Sequence, residues 1–554
     1  MNYEITMNRV VFLFYISLFG ISLQCFSIND TSNKTFNTPQ SDTLIINLRD
    51  FGLERIRKKD CTKIITKALK ELHNSTPVII RFPRGEYHFY AEESSKHDYF
   101  IPNSTQAKTL NCAILIENQN NIIIDGNGST LIFHGQIQPF TFVNCQNITI
   151  NNFKIDWEQP LLAQGKVVKV NEEFIELAVD LKESPYSIEN GKLYFNPDIN
   201  EKESWKNTVE FDRENRYIVP QTGDMECLGK GWENYAAENI IPGVIRFYYP
   251  FLRKPEVGNF LVMQYAEKNH SGISIYESKN ITVKNVTIYH AAGVGILARN
   301  SGDLTFSKYR AVPNKIKNRY FSGNDGGLYL SNCNGNITID NCEFEGLMNS
   351  PVNIQAAENI PTIPKISITN SQFKNSWASG ICFSTPGKIV IENNIFESSG
   401  SAILIADDAN NDLKSASVTD VLIENNDFND LCNSGSYQLS EAVISIYPGI
   451  PDFNENTVPL YKNIRITNNR FNPFDYPVLF ARSAENLTFE NNSIKRSTRF
   501  EPFHSRQNMF SFEGCRNIFI NNNTISENVL GKNILLKWMS KSEISGLQPE
   551  LNIR

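Results

Sequence analysis

The sequence predicts an all-β protein: a right-handed parallel β-helix (solenoid) with an N-terminal capping helix and an inserted β-barrel-like module. Three observations carry this prediction. One strand–Asn–strand pattern recurs nine times, a helix-forming stretch with one apolar face precedes all of the recurrences, and a long segment without the pattern interrupts them.

The recurring unit places an apolar residue two positions before an Asn and a Phe, Ile or similar residue three positions after it. Examples are ITINNFKI (148–155), ITIDNCEF (337–344), IRITNNRF (464–471) and IFINNNTI (518–525). The Asn positions are 152, 285, 341, 370, 393, 425, 468, 491 and 522. Alternation with a period of two on either side predicts half-buried strands. Asn suits the turn between them because it tolerates a left-handed backbone. Most spacings run from 23 to 32 residues, so the Asn side chains should stack and bond one another between coils. No single coil buries its own apolar face, but a stack encloses one core.

A small residue stands just upstream of several strands: Cys145, Ser278, Ser301, Ala484 and Cys515, with Thr419 read into the same slot. Cys, Ser, Ala and Thr substitute for one another there, which predicts a tight interior position and packing cysteines rather than a disulfide or metal site. At the N-terminal end, Asp60 is placed to cap a helix whose stripe is Ile64, Ile65, Ala68, Leu69 and Leu72. Such a helix would cover the open edge of the stack. PVIIRFPRGEYHF (77–89) then reads as strand–turn–strand.

The longest gap between Asn positions, 133 residues, contains strands of its own over residues 159–265, predicting an extruded β-rich module. The expected organisation is a leader (1–27), the cap and first coils (47–158), the inserted module (159–265), the main β-helix (266–526) and a closing tail (527–554). Arg9 precedes an uncharged run over residues 10–23. As a helix that run spans about 21 Å, short of a bilayer core, so it reads as a signal-peptide segment. Export follows, by cleavage after Ser27 or as a lipoprotein through Cys25. No other stretch reaches membrane-spanning length.

Composition narrows the function. Phe and Tyr number 36 and 21 in 554 residues, enough apolar surface to exclude disorder. A net charge of −7 disfavours nucleic acid as a partner. No phosphate loop, GxSxG, HExxH, paired CxxC or EF-hand pattern stands in a fitting context. What is left is carboxylate chemistry on a glycan: two acids at a glycosidic bond, or an acid-held cation with a base.

The candidate acids fall at the ends of coil strands or in the inserted module. Asp156, Trp157 and Glu158 stand where the module leaves the helix, two acids flanking a ring that stacks well on a sugar. The alternative for them is a surface turn. Asp224 and Glu226, near Trp232, lie inside the module and read more simply as solvated loop acids. His290 precedes small residues that leave room for a ligand, or is a satisfied structural histidine. Asp325 sits in the glycine-rich GNDGGLYL. Asp407 and Asp408 end the strand AILIA, with Asp412 close behind, and Glu441 opens another coil strand.

These segments resemble glycoside hydrolase family 110, the bacterial exo-α-1,3-galactosidases. The likeness runs from about Asn47 to Asn523 through FPRGEYHFY (82–90), IDW-x-x-P (155–160), HAAGVGILARNS (290–301), STPGKIVIENNIFESSGSAILIADDAN (384–410), EAVISIYP (441–448) and FDYPVLFARS (474–483). The resemblance implies a β-helix with barrel insertions and no cofactor. It implies release of terminal α-1,3-galactose, from blood-group-B-type or linear α-galactosyl glycans, by metal-independent inversion. The chain departs from the family at its three aspartates: counted along the shared segments, they fall on Gly326, Asn349 and Ser350, with Asp325 one residue from the first. Asp325 and Asp408 are then the candidate catalytic acids, with Asp156, Trp157, Glu158, His290, Asp407 and Glu441 as candidate substrate-binding residues. The alternative is an inactive or substrate-shifted relative that binds glycans. The sequence leaves the oligomeric state open.

Overall fold

The structure, a computed structural model, describes residues 43–554 except for internal stretches, the longest being 54–58, 101–106, 196–204, 223–227, 407–416, 432–440, 448–453 and 503–507. Among the described residues, two long sheets run the length of the molecule, one of 23 strands and one of 14. Their strands pair in parallel from coil to coil; the exception is Ser95–Phe100, antiparallel to Ala107–Glu117. One coil serves as the pattern. Asn334–Asp340 and Glu343–Glu345 lie in the larger sheet, and Val352–Gln355 follows in the smaller one.

The turn chemistry is as the sequence predicts. All nine repeat Asn residues are left-handed, with φ between 52° and 61°. Asn pays less for this conformation than other side chains, because its amide bonds locally. Inside the coils, Phe344, Phe373, Phe396, Phe428 and Phe471 stack at successive centroid distances of 5.2, 4.7, 5.1 and 4.7 Å. That column forms part of one continuous core.

The interior amide ladder differs from the expectation by one residue. Among the nine turn residues, direct bonds join Asn285 to Asn152 and Asn522 to Asn491. Elsewhere the turn amide meets an acid, as Asn370 does at Asp340 and Asn468 at Glu424. The buried ladder is the residue after the turn: Asn394, Asn426, Asn469, Asn492 and Asn523. In each step the backbone N–H and side-chain amide of one Asn donate to the Oδ1 of the next, at 2.9–3.2 Å. Ser371 and Cys342 continue the column upstream. The turn residue points outward and the next one inward, so the satisfied buried amides belong to the second position.

The small slot is interior, and its cysteines are free and buried. Burial pushes the Cys333 and Cys515 thiols up to about 12. Thr419 is not in that slot: it is exposed, and the buried Val418 takes the position. The capping helix spans Thr62–Leu69, with the Asp60 carboxylate accepting from the Thr62 N–H at 2.9 Å and from its hydroxyl at 2.6 Å. Ile65 and Ala68 are buried. The stack begins before this helix, since Leu44–Asn47 already pairs with Val78–Arg81. It also ends later than expected. Residues 527–554 carry a further coil, with Asn533–Lys537 on Phe510–Glu513, Ile544–Ser545 on Arg516–Asn521, and Asn552–Ile553 last.

The insertion is a six-stranded antiparallel sheet between Leu162 and Gln264, with its own core around Leu177, Trp205, Phe247 and Met263. A second cluster binds it to the coils, where Phe211, Ile218 and Val262 pack with Phe321, Met348 and Trp377. Among the described residues, no helix is long and apolar enough to cross a membrane. The leader reading falls on residues 1–27, outside the described residues.

Candidate functional site

The loops that enter the smaller sheet form one row, and two of the candidates, Asp325 and Glu441, lie in it together with Asn349. Asp325 stands three residues before Leu328, Asn349 three before Val352 and Glu441 three before Ile444. Those strand residues are in register through Ile381 and Ile403. Asp325 and Asn349 are in adjacent coils. The Asn349 side-chain amide donates to Asp325 Oδ1 at 2.7 Å, and the Gly326 N–H donates to the same oxygen at 2.9 Å. Asn349 Oδ1 in turn accepts from the Ser350 N–H at 2.8 Å. Asp325 is 9% exposed.

The glycines beside Asp325 are steric requirements. A Cβ at Gly326 would stand 2.4 Å from the Ser350 carbonyl oxygen, and one at Gly327 would stand 2.5 Å from the Phe344 ring. Position 326 therefore has no room for an acid, and the side chain in register with Asn349 is that of Asp325. The preceding Asn324 is fully buried. It accepts from Gln264 Nε2 at 3.0 Å and donates to the Ala266 carbonyl at 3.0 Å. The return strand of the inserted module thereby holds the Asp325 loop.

Asp156, Trp157 and His290 come together, but inside the protein. Asp156 is 1% exposed and pairs with the equally buried Arg319. It also accepts from Asn314 Nδ2 and from the Trp157 N–H, each at 2.8 Å. Arg319 Nε donates to Glu183 of the module at 2.6 Å. Trp157 is completely buried, its indole N–H donating to the Gly135 carbonyl at 2.9 Å. His290 is completely buried against Trp157, with ring centroids 5.4 Å apart. Its Nε2 accepts from the Leu161 N–H at 2.9 Å, which places the proton on Nδ1, 3.2 Å from the Ser322 carbonyl. Burial and the neighbouring Arg319 hold it neutral, far below the usual histidine range. These three residues brace the junction of module and helix and present no surface to a glycan. Glu158 is half-buried at the same junction.

Glu441 is half-buried, and its backbone N–H donates to Ser445 Oγ at 3.0 Å. Three coil steps, about 14 Å, separate its strand from that of Asn349. Asp407, Asp408 and Asp412, and Asp224, Glu226 and Trp232, lie outside the described residues. Ile403–Ala406, the strand that leads to Asp407 and Asp408, is two coils from the Asn349 strand and three from that of Asp325. Sequence reasoning passed over Arg319, Glu183 and Asn324. Each is a lone polar residue without a local pattern, and its partners lie 58–163 residues away.

Coiled parallel sheets with an inserted antiparallel module define a parallel β-helix protein. Residues 163–261 match the GLAA-B beta-barrel domain I, and residues 271–363 and 310–458 match the right handed beta helix region. The chain is 36% identical to alpha-1,3-galactosidase B of Bacteroides thetaiotaomicron, over 90% of this chain and 94% of that one. It is 26% identical to alpha-1,3-galactosidase A of Bacteroides fragilis, over 87% and 92%. Among solved structures it is similar to the catalytic unit of a GH87 alpha-1,3-glucanase from Streptomyces thermodiastaticus. That match has a TM-score of 0.44 and 10% identity, and covers 92% of this chain and 67% of the other. The chain is a glycoside hydrolase, and it belongs to the α-1,3-galactosidase family.

Proposed function

We propose that the protein is an exported exo-hydrolase. It removes terminal α-1,3-linked galactose from blood-group-B-type or linear α-galactosyl glycans by metal-independent inversion. The observation that carries this reading is the Asp325 carboxylate, fixed by two donors on Oδ1 at the edge of the coil row. With Oδ1 engaged, Oδ2 is the oxygen left for proton transfer. An inverting reaction needs an acid at the glycosidic oxygen and a base on a water across the ring, with carboxyls roughly 6.5–9.5 Å apart. Asp325 takes one role. Asp408 takes the other.

The test is incubation with blood-group-B and linear α-1,3-galactosyl oligosaccharides, following galactose by NMR. The expected result is release with β-galactose as the first anomer, unchanged by a chelator. α-Galactose appearing first would overturn inversion. A second reading, a glycan-binding relative without activity, is favoured by Asn349 and Ser350, whose amide and hydroxyl cannot ionise as carboxyls do. Glycan binding without galactose release at high protein concentration would establish it.

A further inference from the structure

Two coils upstream of Asp325, about 10 Å along the row, His270 occupies the corresponding slot. It stands three residues before Ile273, which is in register with Ile296 and Leu328. The slot between them is Gly293, where a Cβ would stand 2.3 Å from the Lys268 carbonyl oxygen. Residues 266–270 therefore cross the row at the point where no side chain intrudes, and Ala266 ties the same segment to Asn324, next to Asp325. Beyond this crossing an open pocket is lined by Lys108, Asn111, Gln136, Glu267, Asn269 and His270.

His270 is 3% exposed, and its Nδ1 is buried without a hydrogen-bond partner among the described residues. Buried polar atoms are almost always satisfied in a working protein, so the unpaired Nδ1 leaves this pocket residue with hydrogen-bonding capacity unused. Burial, with Lys108 close by, lowers the His270 pKa to about 4, so the ring is neutral at pH 7 and offers one donor and one acceptor. The other polar side chains are three amides, one carboxylate, one ammonium and the Thr109 hydroxyl, with Leu110 the one apolar side chain and no Trp, Tyr or Phe in the lining. Such a set recognises hydroxyls around a ring edge rather than an apolar face or a multiply charged anion.

We propose that this pocket binds the remainder of the glycan, the sugars beyond the terminal one, with His270 and Asn269 bonding their hydroxyls. The proposal rests on the reading of Asp325 as a cleavage acid, since that places the departing sugars along the same row.

The test separates the two. N-acetyllactosamine, the disaccharide left when galactose leaves a linear α-1,3-galactosyl trisaccharide, is titrated into the wild-type protein, Asn269→Ala, His270→Gln and His270→Ala. Galactose release from the trisaccharide and from an aryl α-galactoside is measured in parallel. Binding to the wild type is expected, weakened about tenfold in each variant, one hydrogen bond's worth. The trisaccharide-to-aryl ratio of kcat/KM should fall by a similar factor. Asn269 is only half-buried, so its variant reads binding even if the His270 variants unfold. Cleavage by the wild type without disaccharide binding, or with binding unchanged by Asn269→Ala, would overturn the pocket and leave Asp325 standing. Disaccharide binding lost in the variants, in a protein that cleaves no α-galactoside, would uphold the pocket and overturn the cleavage reading.

Discussion

The side chain of Asn349 reaches one coil back and donates to the carboxylate of Asp325 at 2.7 Å. The bond aims the carboxylate and neutralises nothing, because an amide carries no charge. A carboxylate so placed can act in proton transfer without sharing a proton with its neighbour. That distinguishes this row from one holding two adjacent acids, where one carboxyl is forced to stay protonated.

Two substitutions separate aim from charge. Asp325→Asn should lower galactose release by about 10²–10⁴-fold, the ordinary contribution of a positioned acid or base. Unchanged release would remove Asp325 from the mechanism. Asn349→Asp sets a second carboxylate at hydrogen-bond distance and raises the affinity of the pair for a proton. The pH–rate profile should therefore move to higher pH, whichever role Asp325 has. A profile that stays in place would show that position 349 does not face the titrating group.

The Asp156–Arg319 pair makes a different prediction, since both residues are buried and neither can reach a ligand. Arg319→Met strands the carboxylates of Asp156 and Glu183 and should cost about 3–5 kcal/mol in urea unfolding. Asp156→Asn should lower stability while leaving KM within about twofold at temperatures well below unfolding. A large KM change in a folded Asp156→Asn protein would return that residue to the binding site.

Two buried neutral histidines set an acid limit on stability. Burial, with Lys108 in second place, lowers the His270 pKa to about 4, and burial with Arg319 holds that of His290 well below its usual range. In the unfolded chain both titrate near 6.5, so there the unfolded state takes up the proton first as pH falls. Their stabilisation is complete above about pH 6.5 and declines below it, for His270 until about pH 4. From pH 7.5 to pH 5 the His270 share of this loss is about 2 kcal/mol. His270→Gln should show that much less acid sensitivity in urea unfolding than the wild type. Equal slopes would mean that the ring is already charged when folded.

The coils were legible in the sequence because their signals are local. A period of two and an Asn at each turn are readable within eight residues, and every one of the nine turn residues is left-handed in the structure. The side of the chain on which the amide ladder runs was not legible. Asn393 and Asn394 look alike in sequence, and only the closed coil decides that the second faces inward. Thr419 and Val418 differ for the same reason, since a shift of one residue exchanges outside for inside. At the site, the glycine-rich surroundings of Asp325 were visible, but the crowding that keeps Gly326 without a side chain comes from Ser350, one coil away. Asp156, Trp157 and His290 have chemistry that suits a sugar site, but the cluster is closed inside the protein. Arg319, which turns the cluster inward, follows Asp156 by 163 residues.

The displaced ladder gives the sharpest test of the fold. Asn426 accepts from both the backbone and the side chain of Asn394, and its own amide donates to Asn469 Oδ1 and to the Ile391 carbonyl. Asn426→Ala leaves several of these buried groups unpaired and should cost about 2–5 kcal/mol, at 1–3 kcal/mol for each unsatisfied group. Asn425 next to it is the left-handed turn residue, with φ of 56°. Asn425→Gly should be nearly neutral, and Asn425→Ala should cost about 1 kcal/mol for the left-handed backbone alone. The order of the two alanine variants in urea unfolding decides the matter. A larger loss at 425 than at 426 would place the supporting amides on the outer turn and overturn the interior ladder.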